Sequence, residues 1–170
     1  MKALGLILVI AAAVTAQDPK ALAAAGCGPS EVRFNVKTTK NHPNVLAENG
    51  KALVYVIEDF VAWKEIGCLG GGCSSIIRTG LDGSWIGAVK DNSYLSFAVE
   101  PGEHNVCGGW QIPRKWFQYS VSATAFTAEP GKTYYFVARV NERFTLEKID
   151  KAEGQALIST RKFSTFSEKK

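Results

Sequence analysis

The tripeptide Glu-Pro-Gly occurs twice in this 170-residue chain, at positions 100–102 and 129–131. Each copy follows a stretch in which apolar and polar residues alternate. Proline presets φ at the second position of a tight turn, and glycine accepts the positive φ that a type II turn needs at the third. Leu95-Ser-Phe-Ala-Val99 runs into the first turn, and Lys132-Thr-Tyr-Tyr-Phe-Val-Ala-Arg-Val140 leaves the second. A period of two bounded by such turns selects strand over helix. The chain therefore reads as an antiparallel β domain with hairpins at both Pro-Gly steps.

Other segments repeat the pattern. Val32, Phe34 and Val36 alternate with Arg33, Asn35 and Lys37, a strand with one wet face. Ala52 to Ile57 is apolar on both faces, as a central strand covered by a second layer must be. Ser75–Leu81 and Trp85–Val89 flank Asp82-Gly83, a strong short-range hairpin signal. Ser120–Phe126 alternates Ser/Thr with Val/Ala, and Phe144-Thr-Leu146 reads as the final strand. Asp150 and Glu153 have capping-box spacing ahead of Ala156, Leu157 and Ile158. Gly154 weakens that helix by about 1 kcal/mol relative to Ala, so a short helix is expected, followed by a frayed basic tail. Strands at spacings of about ten residues predict an Ig-like, antiparallel two-sheet β-sandwich with a short C-terminal helix. An open barrel is the rival.

The first residues read as a targeting segment. Lys2 precedes an unbroken apolar stretch, Ala3–Val14, and Val14-Thr15-Ala16 supplies the small residues that signal peptidase accepts. That stretch is shorter than the ~20 residues a membrane span needs. The organisation expected is a signal peptide over 1–16, an Ala/Gly-rich arm over 17–30, the sandwich over 31–149, and a helix and tail over 150–170. Cleavage after Ala16 leaves 170 less 16, or 154 residues, enough for one cored domain. It also removes one of the 20 basic residues, leaving 19 against 16 acidic, a net +3. So small an excess gives no case for nucleic acid, and export argues against it. Ala24-Ala25-Gly26-Cys27 resembles a lipid-attachment box, but Gln17–Lys20 separates it from the apolar stretch. Soluble export to the periplasm or the extracellular envelope is favoured, with membrane attachment only if Cys27 is lipidated.

Cys27, Cys68, Cys73 and Cys107 remain after cleavage, an even count suited to disulfides in an oxidising compartment. Of three connectivities, Cys68–Cys73 plus Cys27–Cys107 is favoured, because three glycines let the 67–73 loop fold back on itself. Single cysteines with one C-x4-C pair match no standard zinc spacing.

The order Ala52–Glu58, Leu81–Gly87, Val99-Glu-Pro-Gly-Glu-His-Asn-Val106 and Ala128-Glu-Pro-Gly-Lys-Thr-Tyr-Tyr-Phe136 resembles the bacterial envelope family called domain of unknown function 2846. The resemblance spans roughly Ala52–Leu157. It is also similar, more weakly, to small surface-associated sandwiches of the PEGA type. It implies an exported or lipoprotein-like β domain and carries no catalytic residue with it.

Chemistry is sparse. His104 lies three residues before Cys107, but residues three apart on a strand face opposite ways, and a disulfided cysteine is no nucleophile. His42 sits in a polar loop, and two histidines make at most half a metal site. Ser74 and Ser75 lack the G-x-S-x-G context of a nucleophile elbow. Glu58 and Asp59 read as a solvated strand end. No catalytic residue, cofactor or metal is expected. The strongest binding candidate is the loop Trp110-Gln-Ile-Pro-Arg-Lys-Trp-Phe-Gln-Tyr119, with Trp110, Trp116, Phe117 and Tyr119 beside Arg114 and Lys115. Aromatic rings supply contact area at low entropic cost, and the bases suit anionic groups of a cell-envelope protein or glycan. A non-catalytic envelope binding or structural module is the expected function. The alternative is a small periplasmic hydrolase or thiol enzyme using His104 and a free cysteine.

Overall fold

Ten strands and one helix make up the regular structure among the described residues, which in this computed structural model are 27–47, 49–60, 76–111, 121–140 and 144–170. The strands are β1 (Phe34–Thr39), β2 (Ala52–Glu58), β3 (Ile76–Leu81), β4 (Ser84–Lys90), β5 (Ser93–Val99), β6 (Gly102–Trp110), β7 (Val121–Ala128), β8 (Thr133–Val140), β9 (Phe144–Ile149) and β10 (Lys162–Glu168). The helix α1 spans Lys151–Thr160. A six-stranded sheet, in the order β1-β10-β5-β2-β8-β9, faces a four-stranded sheet, β4-β3-β6-β7. The expected two-sheet β-sandwich is the fold.

Strand β2 lies inside the larger sheet, as its two apolar faces require. Ala52, Val54 and Val56 point into the core between the sheets, with Leu95, Phe136, Ile77, Val89 and Val106. On the outer face Ile57 joins Tyr94 and Tyr135 in a second cluster, packed by Tyr55, Leu157 and Ile158. Helix α1 covers that cluster. Asp150 caps it, accepting from the Glu153 N–H at 2.9 Å. The Glu153 side chain bonds Arg139 of β8 and so leaves the capping box half formed. Gly154 is the buried residue of the helix, and its missing side chain lets the helix lie on the Tyr135 ring.

Asp82-Gly83 forms the expected hairpin. Leu81 pairs with Ser84, and φ is 48° at Asp82 and 88° at Gly83, the two positive values that a tight two-residue hairpin requires. The Pro-Gly steps behave differently. β5 belongs to the larger sheet and β6 to the smaller; β7 belongs to the smaller and β8 to the larger. Both Glu-Pro-Gly segments are therefore corners between layers, not hairpins. At the second, the Lys132 N–H returns to the Glu129 carbonyl at 3.2 Å with φ 71° at Gly131. Lys51 and Leu53 then receive the chain, through Gly131 N–H to Lys51 O at 3.0 Å and Leu53 N–H to Lys132 O at 2.9 Å. Those bonds set β8 parallel to β2. With β10 parallel to β5, the larger sheet is mixed where an antiparallel one was expected. Turn chemistry fixes a reversal of the chain and leaves the receiving partner to the core.

The tail also departs from expectation. Residues 162–168 form β10, which pairs with β1 from Phe34↔Glu168 to Thr39↔Phe163, so the sandwich extends past residue 149 and β9 is not the last strand. Phe163 and Phe166, three apart, dock on opposite faces. Phe163 packs edge-on to Tyr94 at 5.4 Å, and Phe166 on Phe34 at 5.7 Å. Two side-chain bonds close one seam between the sheets: Thr124 Oγ1 donates to the Leu146 carbonyl at 2.6 Å, and the Leu146 N–H donates to Ser122 Oγ at 2.9 Å.

Candidate functional site

Cys27 and Cys107 are joined by a disulfide, with Cα atoms 5.8 Å apart and a sequence separation of 80. Both are buried. The bond holds the arm across the outer face of the smaller sheet, since Cys107 alternates with the core residue Val106 on β6. Arg78, also outward on β3, fastens the arm: its Nη1 donates to the carbonyls of Ser30 at 3.0 Å and Val32 at 2.9 Å. Trp85 Nε1 donates to the Pro29 carbonyl at 2.7 Å, and the Arg78 guanidinium lies 4.2 Å from the Trp85 ring centre. Burial pushes the Arg78 pKa down to about 10, helped by the neighbouring charge of Arg33 and opposed by Glu31. A Cβ on Gly28 would stand 2.3 Å from the Trp85 ring, so only glycine permits this approach. A sulfur held in a disulfide has no valence left for a lipid thioether, so the two uses of Cys27 exclude one another. Cys68 and Cys73 lie outside the described residues.

The root of the 110–119 loop is built from three side chains. Trp110 is partly buried against the core, its ring stacked on Phe60 at 5.3 Å and tilted against Phe144 at 6.2 Å. Its ring is thus engaged in packing on one side and half-buried as a whole. Gln111 is 1% exposed and acts as a piece of strand. Its Oε1 accepts from the Phe34 N–H at 2.6 Å, and its Nε2 donates to the Phe34 carbonyl at 2.9 Å. Arg78 Nη2 donates to the Trp110 carbonyl at 3.3 Å, so one guanidinium binds both the arm and the loop root. Arg114, Lys115, Trp116, Phe117 and Tyr119 lie outside the described residues.

His104 does not meet Cys107. It stands on the other face of β6, and the Cys107 sulfur is already bonded. His104 Nδ1 lies 2.6 Å from Asp82 Oδ2, and its Nε2 lies 2.7 Å from the Glu100 carbonyl oxygen. Both nitrogens are thereby occupied, and neither is left to act as a base. His42 stacks on Tyr94 at 5.8 Å, its Nδ1 3.0 Å from the Tyr94 hydroxyl, and pins its loop to the outer face of the larger sheet. The histidines bind separate elements, and among the described residues no three His, Cys, Asp or Glu side chains converge as metal ligands.

Glu58 and Asp59 correct the expectation of a solvated strand end. Glu58 is fully buried and Asp59 is 9% exposed. They do face opposite ways. Asp59 lies between Arg161 Nη2 at 2.5 Å and Arg139 Nε at 3.5 Å, which ties the end of β2 to β8 and to the close of α1.

Neither the arm-binding role of Arg78 nor the strand-like role of Gln111 is legible in the sequence. The local signal is slight: Arg78 is a charge directly after two isoleucines in a strand, and Gln111 is a polar residue between Trp110 and Ile112. Their partners are 46–48 and 77 residues away. Comparison with protein-family models, with curated proteins and with solved structures finds no match.

Proposed function

We propose that this chain is an exported, non-catalytic binding module of the cell envelope, and that the loop after Gln111 is its contact surface. The observation that carries the reading is the root of that loop. Trp110 is stacked into the core, Gln111 is bonded to both backbone groups of Phe34, and Arg78 holds the Trp110 carbonyl. A segment launched from so fixed a base loses less freedom on binding, which favours affinity. Its sequence places Trp116, Phe117 and Tyr119 beside Arg114 and Lys115, and Trp, Tyr and Arg are the residue types enriched in binding hot spots. The buried Cys27–Cys107 bond supports folding outside the cytosol, where disulfides persist. The resemblance to the envelope family, carried by the two Glu-Pro-Gly motifs and the segments around them, points the same way.

The test is binding of the mature protein to purified cell-wall glycan and to solubilised envelope proteins of its own source. Trp116→Ala and the pair Arg114→Ala/Lys115→Ala are compared with wild type, unfolding being monitored in parallel. Loss of binding at unchanged stability is the expected result. Binding that survives both variants overturns the assignment of the loop.

A further inference from the structure

Both ring nitrogens of His104 face oxygens that have no hydrogen to give, one from a carboxylate and one from a backbone carbonyl. A neutral imidazole carries a single N–H and leaves a lone pair on the other nitrogen. Only the imidazolium, with two N–H groups, satisfies both oxygens. The neutral ring sets a lone pair against an oxygen at 2.6 or 2.7 Å. We propose that Asp82, His104 and the Glu100 carbonyl form a proton-held latch between the β3–β4 hairpin tip and the first inter-sheet corner, open when His104 is neutral.

The position of the latch gives it leverage. Asp82 sits at the tip of the smaller sheet's hairpin, and Glu100 directly follows the larger sheet's β5, so the imidazolium bridges both layers. Asp82 is oriented from behind: its Oδ1 accepts from the Asn105 N–H at 2.8 Å, and its own N–H donates to the Asn105 carbonyl at 3.1 Å. From β7 the Phe126 ring packs against the imidazole at 5.8 Å. The Glu100 carboxylate is turned to Lys51, 3.2 Å away. Glu103, next to His104 on β6, points to the opposite face. Among the described residues Asp82 is thus the charge in contact with the ring.

The direction of the pH effect follows from two opposed contributions on each partner. Desolvation lowers the His104 pKa, but the hydrogen bonds its ring donates to Asp82 and to the Glu100 carbonyl, with the Asp82 charge, outweigh it, and the value is raised. Desolvation raises Asp82, and the Asn105 N–H together with His104 outweighs that, so its value is lowered. A raised histidine contributes stability that is complete below its unfolded value, about 6.5, and is lost as pH climbs through the folded value. A lowered aspartate contributes stability that is lost as pH falls through its folded value. The latch is closed between the two.

With only two histidines in the chain, imidazole nitrogen NMR on the full mature protein resolves both, and His104→Gln assigns the signal. The expected spectrum has both His104 nitrogens protonated at pH 6, with a titration midpoint raised above that of a free imidazole, and that midpoint moves down in Asp82→Asn. Asparagine keeps the positive φ and the shape at that turn, so this variant retains the fold should His104→Gln lose it. Thermal midpoints of wild type should fall by roughly 2–6 °C from pH 6 to pH 9 relative to Asp82→Asn. A neutral His104 at pH 6.5, or wild-type and Asp82→Asn midpoints that fall in parallel, overturns the proposal.

Discussion

Replacing Gly154 with alanine sets two effects of known size against each other. In an exposed helix, alanine gains about 1 kcal/mol over glycine. Here the added Cβ would stand 2.3 Å from Tyr135 Cγ, 2.4 Å from Cδ1 and 2.8 Å from Cβ. Ordinary carbon contacts lie near 3.5–4 Å, so the overlap exceeds an ångström. The atoms struck are at the root of the ring, which cannot swing clear. The ring is also held by Tyr55, stacked at 5.3 Å and 9°. Helix α1 must therefore lift, and lifting loosens Leu157 and Ile158 from the outer cluster. Overpacking of this kind costs about 1–3 kcal/mol, and the partial loss of two apolar contacts adds about 1 kcal/mol more. Against the propensity gain the net is destabilisation of about 1–3 kcal/mol. Urea unfolding followed by far-UV circular dichroism measures it, with a lower midpoint and an unchanged slope expected. Stabilisation by about 1 kcal/mol, the propensity term alone, would refute the close seating of α1 on β8.

Gln111→Leu keeps the volume and leaves the Phe34 N–H and C=O without their partner, a loss of about 2–4 kcal/mol in chemical unfolding; a change below about 0.5 kcal/mol would mean that water replaces the amide. Cys27→Ser/Cys107→Ser opens a loop of 80 residues, for which the chain-entropy argument gives about 4.5 kcal/mol. Equal stability of the two proteins would show that the reduced arm stays docked through Arg78 and Trp85 alone.

What could be read in the sequence was what is local. Asp82-Gly83 names its own hairpin because both positive φ values fall on the two residues that tolerate them, and the strands on either side are adjacent in the chain. β2 declared itself central because both faces are apolar. Glu129-Pro130-Gly131 specified a turn equally well, yet whether β7 and β8 pair or part depends on β2, some 80 residues earlier, taking β8 as a parallel neighbour. β10 was hidden for a related reason. Lys162-Phe-Ser-Thr-Phe-Ser-Glu168 is mostly polar, and its two rings serve different faces, so no single stripe appears. At the candidate site the aromatic density of 110–119 was visible. The inward turn of Trp110 and the strand-like role of Gln111 were set by Phe60, Phe144 and Phe34, which no local pattern connects to them.

The central proposal, that the chain is exported and folds with its arm clipped by sulfur, is tested most directly by peptide mapping of the native protein under non-reducing conditions. The account predicts an N-terminus at Gln17 and a linked pair of peptides carrying Cys27 and Cys107. A retained Met1 with both thiols open to alkylation, or a lipid mass on Cys27, would contradict it.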